Sequence, residues 1–211
     1  MNSARNHILA RLKAAQDNRG EIGEILPDFT SPVYHAVSSS PVIDFKTNLE
    51  AIGGQVYICE NKSELTERLV SMCRELNQDS VFCTDPTLIS LFGQRLNIHS
   101  EEKDFPEVSI GVTRCEYLVA HLGSVLVSSA QVSGRRLNVF SETHIVVADQ
   151  SQLTNYLEEA LEKLQKKYKN ELPSLISTIT GPSRTADIEK TLVMGMHGPR
   201  SLVVLISEEA I

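Results

Sequence analysis

The sequence of 211 residues contains no tryptophan, few aromatic residues and only four cysteines. No two cysteines form a C-x-x-C pair and no histidine follows one at zinc-finger spacing, so no metal site built by this chain alone is expected. No run approaches the roughly 18 consecutive apolar residues of a membrane helix, and the start lacks a signal peptide's apolar centre. A net charge of −7 argues against a general nucleic-acid surface. We therefore expect a cytoplasmic protein with no membrane span and no nucleic-acid partner.

Helical patterns alternate with short apolar runs through much of the chain. The runs QVYIC and SVFCT flank a helix that is predicted to begin at Asn61, with Glu64 completing a capping box. Strands separated by helices favour a parallel sheet. The runs VLVSS and THIVVAD follow one another without a clear helix, which favours a hairpin or antiparallel excursion. The predicted fold is α/β, with a mixed, mostly parallel sheet flanked by helices.

Three further segments have a predicted structure. TRCEYLVAHL, residues 113 to 122, has helical spacing and is predicted to be a helix. Residues 153 to 168 form the clearest amphipathic helix of the chain. The C-terminal part is predicted to be a β-α-β unit, made of the strand SLISTIT, a helix and the strand SLVVLIS. The predicted helix of that unit carries Ile188, Leu192, Val193 and Met196.

The N-terminal part differs in composition from the rest. Residues 3 to 16 form an amphipathic helical pattern with Ile8, Leu9 and Leu12 on one face, and residues 20 to 41 are rich in Gly, Pro and Ser. We predict an N-terminal helix and linker over residues 1–41, followed by one domain over residues 42–211. The apolar face of the helix can fold onto the chain's own core or pair with a second copy, so a homo-oligomer is left open.

The decapeptide GPSRTADIEK, residues 181 to 190, is predicted to be a strand-to-helix turn at the carboxyl edge of the sheet. Amide groups at a helix N-terminus stabilise phosphate or carboxylate, and Arg184 can make a two-pronged contact with either anion. Alternatively, Ser183 or Thr185 only caps the helix, and the two acidic residues after it match the helix dipole without a ligand. In the first interpretation the binding residues are Gly181, Pro182, Ser183, Arg184, Thr185, Asp187 and Glu189.

A second candidate lies in the middle of the chain. Gly123 permits close backbone approach, and the amides of Gly123 and Ser124 can serve as oxyanion donors. Arg136 follows in the next loop, and His197 stands between two glycines near the C-terminus. The alternatives are a glycine that only precedes a strand, an arginine at a solvated loop tip and a structural histidine.

Two blocks of the sequence have a resemblance to a known family. ITGPSRTADIEKTLVMGMHGPRSLVVLI, residues 179 to 206, is similar to the C-terminal signature of LUD domain proteins, in particular of the lactate utilization protein C family. The stretches VAHLGSVLVSS and GRRLNVFSETHIVVAD resemble its middle block, with departures at Ser141 and at residues 121 to 123. The resemblance implies a fold similar to the NagB/RpiA/CoA-transferase group.

The resemblance also implies a role in the oxidation of L-lactate to pyruvate, alongside partner proteins that carry iron–sulfur clusters. This chain has no motif for a flavin, nicotinamide or metal acceptor. We therefore expect an accessory component that binds a small organic acid or phosphate and no cofactor of its own. One alternative is a free-standing enzyme acting on a CoA thioester or sugar phosphate, with Glu116 or Glu142 as nucleophile. Another is a regulatory or scaffold subunit that binds partners through its N-terminal helix.

Overall fold

The computed structural model describes residues 3–17, 38–101, 103, 109–169, 171–185 and 193–211. The chain divides into two compact units, Met1–His35 and Ala36–Ile211. The first contains helix α1 (Ser3–Asp17), as the amphipathic pattern predicts. The predicted domain boundary after residue 41 stays a prediction. Among the described residues, no helix has both the length and the apolar character needed to cross a membrane.

The second unit contains all other described helices and strands. Its helices are α2 (Pro41–Ala51), α3 (Lys62–Glu75), α4 (Pro86–Phe92), α5 (Leu137–Phe140) and α6 (Leu157–Lys167). Its first six strands are β1 (Gln55–Cys59), β2 (Ser80–Phe82), β3 (Asn97–His99), β4 (Ile110–Arg114), β5 (Tyr117–Val119) and β6 (Ser124–Ser128). The remaining strands are β7 (Thr143–Asp149), β8 (Leu153–Thr154), β9 (Ile176–Ile179), β10 (Arg184–Thr185), β11 (Val193–Met194) and β12 (Ser201–Ser207).

A six-stranded sheet in the order β1-β12-β7-β4-β2-β3 forms the centre of this unit. Every pairing within it is parallel. β7 and β12 are buried along most of their length because side chains pack on both faces of the sheet. The α/β fold with a mostly parallel sheet flanked by helices is therefore confirmed.

A four-stranded sheet in the order β8-β5-β6-β9 packs against one face of the central sheet. Leu118 and Val125, from β5 and β6, share a buried cluster with Val146 and Val204 of the central sheet. The opposite side of the smaller sheet packs against α6 through a separate cluster. Residues of α3 and α4 cover the other face of the central sheet. The layers are thus helices, central sheet, smaller sheet and helix.

The predicted helix over residues 113 to 122 is wrong, because these residues form the end of β4, strand β5 and a short 3-10 turn. The smaller sheet lies between two cores, so β5 buries side chains on both faces: Leu118 toward the central sheet and Val119 toward α6. A strand that is apolar on both faces loses the simple alternation of a half-exposed strand. Its apolar residues can then imitate helical spacing.

The predicted C-terminal β-α-β unit is also wrong. β9 pairs antiparallel with β6 in the smaller sheet, whereas β12 lies between β1 and β7 in the central sheet. Val193 belongs to β11, which pairs antiparallel with β10 instead of continuing a helix. Met196 lies in the bend that follows β11. Ile188 and Leu192 lie outside the described residues.

The antiparallel excursion exists, but not as a hairpin of VLVSS with THIVVAD. β6 pairs antiparallel with β5 and β9, while β7 joins the central sheet, and the short helix α5 separates the two strands. The amphipathic helix predicted from residue 153 begins at Leu157, because Leu153 and Thr154 form β8 beside β5.

Candidate functional site

A cleft of about 590 Å³ lies where two distant segments of the chain meet. One segment connects α5 to β7, and the other connects β11 to β12. Both end at the amino-terminal ends of parallel strands, since Thr143 begins β7 and Ser201 begins β12. The lining residues are Val139, Phe140, Ser141, Glu142, Gly195, Met196, His197, Gly198 and Arg200.

Backbone hydrogen bonds join the two segments at the base of the cleft. The backbone amides of Arg200 and Ser201 donate to the carbonyl of Glu142, at 2.8 Å and 3.2 Å. Gly195 has a φ of 77°, and a Cβ there would lie 2.1 Å from Cγ of Arg200. Any other residue at this position would be strained and would collide with the stem of the arginine. The loop therefore uses a glycine to place Arg200 in the cleft.

The charged side chains of the cleft form an exposed ion pair. Nη1 of Arg200 lies 3.3 Å from Oε1 of Glu142, and the two side chains are 67% and 55% exposed. Ion pairs this exposed contribute only about 0–1 kcal/mol, because water solvates both groups. The guanidinium can therefore exchange Glu142 for another carboxylate at little cost. His197 is exposed in the same cleft, as are the apolar side chains of Phe140 and Met196.

The predicted turn at residues 181 to 184 lies behind this cleft. The amide of Ser183 donates to the carbonyl of Pro199 at 2.8 Å, and the guanidinium of Arg184 donates to the carbonyl of Ile52. Gly181 has a φ of 81° and packs against Ile52. Ile52 precedes β1 and Pro199 precedes β12, so the predicted position at the carboxyl edge is wrong, and the turn lies at the amino edge.

The predicted helix start at this turn is wrong over the described residues. Arg184 and Thr185 form β10, so the turn opens a short antiparallel pair instead of a helix. Pro182 is buried and Thr185 is half-buried. Asp187 and Glu189 lie outside the described residues. The prediction that this segment binds an anion stays a prediction, without support from a helix dipole in the described part.

Gly123 contacts the same end of α2 as the turn does, and Ser124 contacts the residue before the turn. Gly123 has a φ of 59°, and a Cβ on it would lie 2.3 Å from the backbone nitrogen of Leu49 in α2. Its amide donates to the carbonyl of Ala120 at 3.2 Å. The buried hydroxyl of Ser124 lies 2.7 Å from the hydroxyl of Thr180, next to Gly181. The structure thus brings two predicted segments together, and their described contacts are packing contacts.

Of the predicted residues, Ser183, Arg136 and His197 lie at the cleft, and the carbonyl of Ser183 accepts from the amide of the lining residue Gly195 at 3.0 Å. His197 lines the cleft, and the guanidinium of Arg136 lies 5.8 Å from the ring centroid of Phe140, which forms part of the wall. Sequence reasoning missed Arg200, because an arginine between a Gly-Pro pair and a strand has no distinctive pattern. It considered Glu142 only as a nucleophile.

Glu116, the other glutamate considered as a nucleophile, lies in a buried hydrogen-bond network. Its carboxylate accepts from Ser128 at 2.6 Å, Lys167 at 2.7 Å and Tyr168 at 2.8 Å, and its side chain has no exposed surface. Burial alone raises the pKa of Glu116, but these three hydrogen bonds and the charge of Lys167 lower the pKa below its ordinary value. A carboxylate held by three donors and closed to solvent is poorly placed to attack a substrate.

The four cysteines are buried and form no disulfide. Cys59, Cys73 and Cys83 lie in one core cluster and Cys115 in another. Burial raises the pKa of Cys59, Cys73 and Cys83 to about 11, and raises the pKa of Cys115 as well. These thiols are protonated near neutral pH, whereas metals bind the thiolate. Among the described residues, no group of three or more His, Cys, Asp or Glu side chains is placed to hold a metal ion.

The family model of the LUD domain matches residues 42–207, and the chain belongs to this family. It is 31% identical over 169 residues to the uncharacterized protein YkgG of Escherichia coli (strain K12), covering 72% of this chain and 73% of that protein. It is 32% identical over 109 residues to lactate utilization protein C of Bacillus subtilis (strain 168), covering 50% of this chain and 45% of that protein. The match therefore spans less than half of the Bacillus protein.

A solved structure has the same fold. It is the crystal structure of a DUF162 family protein from Deinococcus radiodurans, with a TM-score of 0.58 and 16% sequence identity. The match covers 82% of this chain and 99% of that one. At this identity the likeness shows the fold alone.

Proposed function

We propose that the chain is an accessory component of a lactate utilization system, which oxidises L-lactate to pyruvate, and that its cleft binds a small carboxylate. Membership of the LUD domain family and the name of the Bacillus subtilis relative support the assignment to lactate utilization. Partner proteins carrying iron–sulfur clusters would perform the redox step. The cysteines of this chain form no C-x-x-C pair, which supports a division of labour in which clusters lie on other chains.

The observation that carries the ligand proposal is the exposed guanidinium of Arg200 in the cleft. Arginine matches the two oxygens of a carboxylate, and its hydrogen bonds to an anion are stronger than those between neutral groups. The volume of the cleft, about 590 Å³, lies within the range of small-molecule sites. Val139 and Met196 line the same cleft and offer apolar contact to the methyl group of a three-carbon acid.

Calorimetry with L-lactate, pyruvate and phosphate tests this proposal. Arg200→Ala is expected to weaken carboxylate binding about 10-fold to 100-fold, the loss of one charge-assisted hydrogen bond or pair. Arg184→Ala is expected to bind as the parent does, since its guanidinium donates to the carbonyl of Ile52. Arg95→Ala, an exposed arginine that does not line the cleft, is the control.

The outcomes separate the two candidate sites. Loss of binding in Arg184→Ala but not in Arg200→Ala would move the site to the turn at residues 181 to 184. No binding by the parent chain would refute the ligand part of the proposal. The accessory role is tested separately, by measuring lactate oxidation in a mixture of purified iron–sulfur partner proteins with and without this chain. Oxidation of lactate by this chain alone would contradict it.

A further inference from the structure

We propose that Glu142 is a built-in competitor for Arg200, and that it makes the cleft select monocarboxylates over doubly charged anions. This inference rests on the proposed function, because it assumes that Arg200 receives the carboxylate of the ligand. It adds the class of ligand that is favoured and names the residue that sets the preference.

The backbone fixes the position of Glu142, independently of its side chain. Its carbonyl accepts from the amides of both Arg200 and Ser201, at 2.8 Å and 3.2 Å. These bonds tie the start of β7 to the start of β12 and persist whatever side chain residue 142 carries. The side-chain carboxylate therefore has a position next to Arg200 without being needed to hold the two segments together.

The side-chain contact between Glu142 and Arg200 is weak enough to be displaced. It consists of one contact at 3.3 Å, between Nη1 and Oε1, and both groups are more than half exposed. A bidentate pair would use two nitrogen–oxygen contacts and would be harder to break. A ligand carboxylate that makes two contacts with the guanidinium therefore gains one contact over the glutamate it replaces.

The displaced carboxylate of Glu142 remains in the cleft, because the backbone holds its residue there. Among the described residues that line the cleft, Glu142 and Arg200 are the acidic and the basic side chains, besides His197. With a monocarboxylate on Arg200, the charge of Glu142 is the one uncompensated negative charge, whereas a dianion leaves two, the charge of Glu142 and its own second charge facing it. Salt screens the repulsion between Glu142 and a bound dianion only weakly over a few ångströms, since the Debye length is about 8 Å at physiological salt. Doubly charged anions are thereby disfavoured.

Glu142→Gln tests the inference, because glutamine has nearly the same shape, leaves the backbone carbonyl in place and removes the negative charge. Affinities for pyruvate, L-lactate and sulfate, a dianion at neutral pH, are measured by calorimetry on the full chain. Pyruvate and L-lactate are expected to bind about threefold more tightly, matching the small value of an exposed ion pair. Sulfate is expected to gain about tenfold or more, because a second charge is also released from repulsion.

Glu162→Gln is the matched control. Glu162 is also an exposed glutamate in an exposed ion pair, with Lys166 at 3.9 Å, but it does not line the cleft. Its affinities are expected to equal those of the parent for all three anions. An unchanged melting temperature of Glu142→Gln shows that an altered affinity reflects the lost charge and not a disturbed fold.

Each result decides between the inference and the proposed function. If the parent binds pyruvate and Glu142→Gln binds every anion equally or less tightly, the inference is overturned while the proposed function stands. An equal gain for pyruvate and sulfate overturns the selection of monocarboxylates. Binding by Glu142→Gln without binding by the parent contradicts the proposed function and, with it, the selection of monocarboxylates by the parent. No binding by either chain overturns both.

Discussion

The buried network around Glu116 gives a prediction whose size follows from the structure. Oε1 accepts from Ser128 and Tyr168, and Oε2 accepts from Lys167. In Glu116→Gln the amide oxygen can keep the two hydroxyl donors. The amide nitrogen must then face the ammonium of Lys167, where two donors oppose each other. Lys167 is 53% exposed and can turn to solvent, which leaves the amide nitrogen buried without an acceptor.

The expected loss of stability is about 2 kcal/mol, the range for a hydrogen bond to a charged group together with an unsatisfied buried donor. Partial exposure of Lys167 keeps the value from being larger. For a domain of this size, the change lowers the melting temperature by roughly 5 °C. Thermal and urea unfolding followed by circular dichroism measure both quantities. Glu162→Gln, whose ion pair on α6 is exposed, is expected to change stability by less than about 0.5 kcal/mol.

Acid provides an independent check on the same network. The pKa of Glu116 is lower in the folded state than in the unfolded state, so the unfolded state binds more protons as pH falls below the ordinary carboxyl value. The stability that Glu116 contributes is complete above that value and is lost as pH falls through its folded pKa. The gap in stability between the parent and Glu116→Gln should therefore narrow in acid. Equal stability at neutral pH, or a gap that stays constant in acid, would refute this account.

Two further predictions concern single buried positions. Gly123→Ala is expected to lower the free energy of unfolding, measured in urea, by about 3 kcal/mol or more. The added Cβ would lie 2.3 Å from a backbone atom of α2, and the alanine would also have to adopt a left-handed backbone conformation. Gly134 has a φ of 62°, and a Cβ added to it would have no atom within 4 Å, so Gly134→Ala should lower the free energy of unfolding by only about 1 kcal/mol. An equal loss of stability in the two variants would contradict the collision at Gly123. Burial lowers the pKa of His144 from 6.5 to about 4. Between these two pH values the unfolded state binds a proton at His144 that the folded state does not bind. The free energy of unfolding should therefore fall by up to about 3 kcal/mol as the pH drops from 6.5 to 4. His144→Gln should lose this slope in acid unfolding curves, and an unchanged slope would contradict the assignment to His144.

Local signals in the sequence predict the elements that depend on local physics. The side chain of Asn61 accepts from the amide of Glu64 at 3.0 Å, and the carboxylate of Glu64 accepts from the amide of Glu60 at 2.7 Å. The predicted Asn61 cap of α3 is therefore present, but Glu64 accepts from the amide one residue before the cap, so the bonding differs from that of a complete capping box. Asp85 likewise caps α4 ahead of Pro86, which occupies the first turn of that helix. Such bonds join residues two to four positions apart, so the sequence alone contains both partners.

Pairing between distant strands is what local patterns failed to predict. Gly181 and Pro182 have the composition of a turn, but the same composition precedes a helix or an antiparallel strand. The outcome depends on the amide of Ser183, which donates to the carbonyl of Pro199, and on the pairing of Arg184 with Met194. Neither contact can be inferred from spacing within the decapeptide. The helix, and with it the dipole invoked for anion binding, was therefore predicted where the described residues form a strand.

The cleft shows the same limit at the level of function. Its charged pair joins Glu142 and Arg200, which are 58 residues apart, and two backbone bonds made by the start of β12 set their distance. A search for local motifs favours residues that cluster in sequence, and so it selected the arginine at position 184 over the one at 200. Of these two, Arg184 donates to a backbone carbonyl of its own chain, whereas the ion pair that Arg200 makes with a described residue is loose and exposed. A guanidinium that stabilises a turn has a reason to be present without any ligand. A guanidinium whose described side-chain partner is a displaceable carboxylate is the one that fits the exchangeable acidic ligand proposed above.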